Sequence, residues 1–169
     1  MVSCIITVRQ NMNPDSLLSD LVGKPVAHVW FGDYSALYLE LGVLTASDRK
    51  RRDCSVLNLC GEISIYAGFD WRIEQPRSIF GSRDCSRRRQ NSMSTGLLGS
   101  TITAVSTFGR IPELQVGFSN GQWIATFSLT PGNPEWQVSF RTPATIHLCT
   151  QNGRLFIERR VFNPPSPNA

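Results

Sequence analysis

Two histidines, five cysteines and two runs of arginine are the residues from which this chain of 169 amino acids would build chemistry. His147 and Cys149 lie two positions apart, so a strand would set both side chains on one face. A working Cys–His pair, however, needs its base at hydrogen-bonding distance from the thiol. His28 and His147 both sit inside apolar stretches, where a strand histidine half-buried against its neighbours is the expected outcome. Asp33, Glu40, Asp70 and Glu74 are scattered rather than paired for acid–base work. Cys54 and Cys60 are separated by five residues and Cys85 lies further on. Structural zinc sites favour two to four intervening residues, and no complete four-ligand set has a familiar spacing. No P-loop, dinucleotide fingerprint or Gly-x-Ser-x-Gly elbow is present. The expectation is a non-enzymatic protein with no catalytic residue, no metal ligand and no cofactor.

The arginines are more informative. Residues 48–89 hold ten Arg/Lys against six Asp/Glu, and the rest of the chain is balanced, so this region carries the whole net charge of +4. Arg49, Lys50, Arg51 and Arg52 form one run; Arg83, Arg87, Arg88 and Arg89 form the other, with Trp71 between them in sequence. A guanidinium binds carboxylate or phosphate bidentately, which an ammonium does less well. These nine residues are therefore the expected partner- or anion-binding set. Joined in one patch with Tyr66, Phe69 and Phe80, they would also suit single-stranded nucleic acid, by phosphate contact and stacking. Acidic residues punctuate both runs, which counts against nucleic acid, and an acidic patch on a protein partner is the first reading. A small nucleotide-like anion in a sandwich mouth lined by Trp and Arg is the third reading.

Five cysteines are an odd number, as expected of free thiols in a reducing cytoplasm. The apolar run near the start is too short for a signal-peptide core. No segment approaches the roughly 20 apolar residues of a membrane span.

The elements that must position these residues are strands. Thirteen glycines and ten prolines break the chain into short segments. Leu37, Leu39 and Leu41 alternate with polar residues, as do Ile63 and Ile65, and then Leu114, Val116 and Phe118. Leu21-Val22-Gly23-Lys24-Pro25-Val26 returns as Leu97-Leu98-Gly99-Ser100-Thr101-Ile102, and Trp71-Arg72-Ile73 as Trp136-Gln137-Val138. The pattern predicts a duplicated unit in a single domain. Half one spans about 17–74, an exposed linker about 75–96, half two about 97–140, and a closing hairpin about 144–162. The fold class is all-β, an antiparallel sandwich or open barrel of two similar halves, with one helical turn near Asp15–Leu21. Asn120-Gly121 reads as a two-residue hairpin turn with positive φ at both positions. Most of the tryptophans are expected in the core.

The repeated Leu-Leu-Gly phrase with its following strands and Trp-x-(Ile/Val) resembles a class of small uncharacterised bacterial β proteins with the same two-part plan. The matching positions are Leu21–Val29, Leu37–Leu41, Gly61–Ile73, Leu97–Val105 and Leu114–Val138, and the likeness from the first to the last of them runs over about two thirds of the chain. No activity comes with the resemblance. Such proteins are often encoded beside toxins or defence systems, so the resemblance implies docking of a protein partner in an immunity or defence setting. Residues 42–60, the arginine-rich 75–96 and the final hairpin depart from the shorter plan, and function is expected there.

Overall fold

A computed structural model describes residues 6–8, 12–50, 57–68, 70–129, 135–141 and 145–161, with the backbone alone at 6–8, 47–50, 57–58 and 160–161. In chain order the elements are β1 (Ile6–Val8), α1 (Pro14–Ser19), β2 (Val26–Phe31), a 3-10 turn (Asp33–Ser35), β3 (Leu37–Leu41), β4 (Thr45–Lys50), β5 (Leu57–Cys60), β6 (Ile63–Ala67), β7 (Trp71–Gln75), β8 (Ser78–Ser82), α2 (Arg87–Leu97), β9 (Ile102–Phe108), β10 (Glu113–Phe118), β11 (Trp123–Thr126), β12 (Trp136–Phe140), β13 (Thr145–Gln151) and β14 (Arg154–Val161). The fold is all-β. One antiparallel sheet has the order β1-β14-β13-β12-β6-β3-β2, the other β8-β7-β11-β10-β9, and β4-β5 form a separate ribbon. Among the described residues neither sheet closes into a barrel. Leu37, Leu39, Ile65 and Val138 of the larger sheet share one buried cluster with Ile73, Leu114, Val116 and Ile124 of the smaller. The alternation read from the sequence is thus the inner face of each sheet.

The two halves have the same plan and exchange their last strands. β2-β3-β6 form a meander in one sheet and β9-β10-β11 its counterpart in the other. Each half then crosses over. β7 leaves to pair with β11, and β12 leaves to pair with β6. The registers correspond: Thr126 faces Trp71 and Ile124 faces Ile73, as Ala67 faces Trp136 and Ile65 faces Val138. Each tryptophan donates its indole N–H to the first hairpin loop of its own half, Trp71 to Ser35 O (3.0 Å) and Trp136 to Pro112 O (2.8 Å). A β-bulge recurs too, with Ala27 extra in β2 and Thr103 extra in β9.

The repeated phrase is where the two halves meet. Pro25 and Thr101 form an antiparallel bridge. Val26 N–H donates to Ser100 O (2.8 Å) and Ile102 N–H to Lys24 O (3.0 Å). Outside them, Gly23 N–H donates to Ile102 O (2.9 Å) and Gly99 N–H to Val26 O (2.8 Å). Every bond has its mirror under a two-fold rotation. Proline is tolerated at the bridge because its position in this ring of bonds requires no N–H. Gly23 and Gly99 take φ of +84° and +78°, a region costly for other residues, which turns the chain from helix into strand.

The stretch expected as a linker is structured. Gln75 ends β7, Ser78–Ser82 is the edge strand β8, and Arg87–Leu97 is a three-turn helix. Ser86 caps it, its Oγ accepting from Arg89 N–H (3.4 Å). Met93 and Leu97, four apart, are fully buried. α2 lies against β2 as α1 lies against β9, so the helices are exchanged as well. The Asn120-Gly121 turn also differs from expectation. Gly121 has φ +80°, but Asn120 is not left-handed, and its side chain accepts from Gln122 N–H (3.0 Å) instead. Both positions are left-handed at Asn152-Gly153.

Candidate functional site

The described residues among the nine singled out by sequence do not form one patch. Arg49 and Lys50 lie in β4, on the ribbon that leaves the Leu41/Ile63 ends of β3 and β6. Arg51, Arg52 and Phe69 lie outside the described residues. Arg83–Arg89 are at the opposite strand ends, where β8 finishes beside Trp71. Five residues of strand, about 14 Å, separate the two roots.

Trp71 itself is not a surface residue. It is 3% exposed, and Trp136 is fully buried. Its place in the expected binding set is corrected: the alternation that made it a strand residue also turns it inward. Trp30 and Trp123 are the half-buried pair.

Around the start of α2, Arg83 pairs with Asp84 (3.2 Å) and Asp70 (3.7 Å). Arg89 lies over the Phe80 ring, 5.1 Å from its centroid. Arg87 and Arg88 are exposed, with no ion pair among the described residues. One turn on, Gln90 Nε2 donates to Ser35 Oγ (3.0 Å), which ties the helix to the Asp33–Ser35 turn. That turn is strained. Tyr34 (φ +56°) and Ser35 (φ +60°) are both left-handed, and the Tyr34 side chain is 80% exposed.

A second cluster, which no sequence pattern signalled, lies on the outer face of the seven-stranded sheet. The Glu40 carboxylate is 1% exposed. It accepts from Gly61 N–H (2.9 Å), Trp30 Nε1–H (3.2 Å) and the Ser64 hydroxyl, and Arg141 Nη1 lies 3.5 Å away. Arg141 also donates to Gly61 O and to Ser64 Oγ, both at 2.6 Å. Trp30 and Tyr38 stack at 3.7 Å, and Tyr66 lies beside them. Further along, Gln137 Nε2 and Ser139 Oγ each approach His147 Nδ1 to 2.9 Å. The fold does not demand this chemistry. At the matching positions of the other half, Glu40 is replaced by Gly117, Ser64 by Trp123, Trp30 by Ser106 and Tyr66 by Ala125. There the Trp123 ring covers Gly117 so closely that a Cβ would sit 2.8 Å from it.

Both clusters tie neighbouring strands together. The carboxylate of Glu40 is saturated by its donors. Ser139 and His147 are at nucleophile–base distance, Gln137 Nε2 also donates to Ser139 Oγ (2.8 Å), and the backbone of these strands is paired in the β6–β12–β13 ladder. Burial, and then the charge of Glu158, push the Cys149 thiol above its ordinary range, which disfavours the nucleophilic thiolate. Cys60, Cys85 and Cys149 are free thiols. Among the described residues no group of three or more His, Cys, Asp or Glu could hold a metal ion. No helix among them is long and apolar enough to cross a membrane. No protein-family model, no curated protein and no solved structure matches this chain.

Proposed function

We propose that this is a non-enzymatic, cytoplasmic binding protein that docks an acidic protein partner through Arg83, Arg87, Arg88 and Arg89. One observation carries the reading. Arg87, Arg88 and Arg89 fill the first turn of α2, where the helix dipole presents positive charge and repels them. Each such placement costs the isolated fold a few tenths of a kcal/mol. An external carboxylate offsets that cost, and opposite charge speeds the encounter. The same arginines would attract nucleic acid, so the experiment separates the two. The wild-type chain and the Arg87→Glu/Arg88→Glu variant are immobilised and exposed to extract of the native host, and labelled oligonucleotides are titrated in parallel. One stoichiometric acidic protein is expected on the wild type and not on the variant. Oligonucleotide binding with a steep salt dependence and no such protein overturns the reading.

A further inference from the structure

The outward face of α2 is Arg88, Asn91, Ser92, Thr95 and Gly96, a stripe at helical spacing along its whole length. A shallow depression follows the stripe. At Gly96 it meets a second depression, bounded by Gln75, Arg77 and Ser78 on one hairpin turn and Asn120–Gln122 on the other. The two make one groove with arginine at each end and amides and hydroxyls between. No Asp or Glu is among the described residues that line it. Arg77 and Arg88 have no ion pair among the described residues.

Gly96 is the informative residue. Glycine is the poorest helix former except proline. Packing does not call for it here. A Cβ would meet Gln122 Oε1 at 3.5 Å and Phe80 at 4.0 Å, both ordinary contacts. Nor does the backbone angle, which lies outside the positive-φ set. The Gly96 carbonyl is held by Asn120 Nδ2 at 2.6 Å, so this point of the helix is fixed in place. A bare backbone fixed at the junction of two depressions is what close approach by another chain requires. The eleven residues of α2 rise about 16 Å. That matches about five residues of extended chain.

We infer that the groove along α2 receives an extended acidic segment of a protein partner, with Gly96 as its floor and Arg88 and Arg77 at its ends. The inference rests on the partner reading above and adds the binding mode. The positive ends select carboxylates, the amides and hydroxyls bond the segment's backbone, and Gly96 lets that backbone lie close.

The probe is a fluorescein-labelled Glu/Ser peptide of about ten residues, long enough to overrun both ends of the groove. Its anisotropy is measured with the full chain at low and moderate salt, beside a labelled deoxythymidine oligonucleotide of equal charge. The peptide is expected to bind and to weaken with salt. Gly96→Leu and Arg77→Glu should each weaken it about tenfold or more. Gly96→Ala should keep or raise the unfolding midpoint while weakening the peptide, which a purely structural glycine would not do. Arg77→Glu lies on an exposed turn, so it tests the groove even where Gly96→Leu fails to fold. If Arg83→Glu/Arg87→Glu/Arg89→Glu abolishes binding while Arg77→Glu and Gly96→Ala stay within about twofold of wild type, the groove is wrong and the arginine reading stands. If no variant changes peptide binding, or the oligonucleotide binds more tightly than the peptide, both are overturned.

Discussion

Replacing Glu40 by alanine should destabilise the protein by about 3 kcal/mol. The structure supplies the terms. The lost carboxylate leaves the buried Gly61 N–H without its 2.9 Å acceptor, a loss of about 1–3 kcal/mol. It also leaves the Arg141 guanidinium without its counterion. Breaking a fully buried pair from one side costs about 3–5 kcal/mol. Arg141, however, is one-third exposed and keeps its bonds to Gly61 O and Ser64 Oγ, so the low end of that range applies and the two terms overlap. For a chain of this length about 3 kcal/mol lowers the thermal midpoint by roughly 6–12 °C. Urea denaturation near neutral pH measures it, with an unchanged m-value as the sign that the native state has kept its compactness. Arg141→Ala alone should cost less, because the glutamate retains three donors. The double variant should be more stable than the sum of the single effects by about 1 kcal/mol or more. A loss below about 1 kcal/mol for Glu40→Ala, or strict additivity, would refute the reasoning. The other half shows that the same strand frame works with Gly117 and Trp123 at these positions, so the variant should still fold.

Tyr34→Gly should raise stability by about 1 kcal/mol, since glycine takes φ +56° without strain; a lowered thermal midpoint would mean that the tyrosine side chain holds the turn. Alkaline pH should weaken the fold through two groups. Burial, with Glu158 second, raises the Cys149 thiol above 9.0, and burial, with Glu135 second, raises the Tyr66 phenol above 10.0. The folded state therefore keeps protons that the unfolded chain releases. This contribution is fully present below the unfolded pKa values and is lost as pH rises through the folded ones. Unfolding free energies from about pH 8 to pH 11 should fall, and Cys149→Ala should flatten the first part of that slope. Cys149 should also alkylate more slowly than Cys60 and Cys85, both partly exposed, and equal rates would count against a protonated, sheltered thiol.

Strand identity was legible because period-two alternation writes the inner face directly, as at Leu37, Leu39 and Leu41 and again at Leu114, Val116 and Phe118. The repeat was legible for the same reason. α2 was not, because its buried face amounts to Met93 and Leu97 in a run of Arg, Ser, Asn and Gln, too few apolar residues to set a helical period. The Glu40–Arg141 clasp was invisible because the residues come from different halves, and a sequence does not say which strands become neighbours. The two arginine runs looked like one patch because they are close in sequence. β6, β7 and β8 make three passes between them, an odd number, which leaves the second run at the other end of the strands.

The exchange of strands has a consequence for how the chain is made. When residues up to Gln75 have been synthesised, β6 exposes the edge that β12 will occupy, and β7 has no β11 to pair with. The Gly23–Val26 turn likewise waits for Gly99–Ile102, seventy-six positions later. Neither half can close its own core, so the first is held as an open-edged intermediate until the second emerges. Its unpaired edges are templates for misassociation during that interval. The finished protein should unfold in one cooperative step, and refold slowly for its size, because the pairings β1–β14, β7–β11 and β6–β12 close long loops.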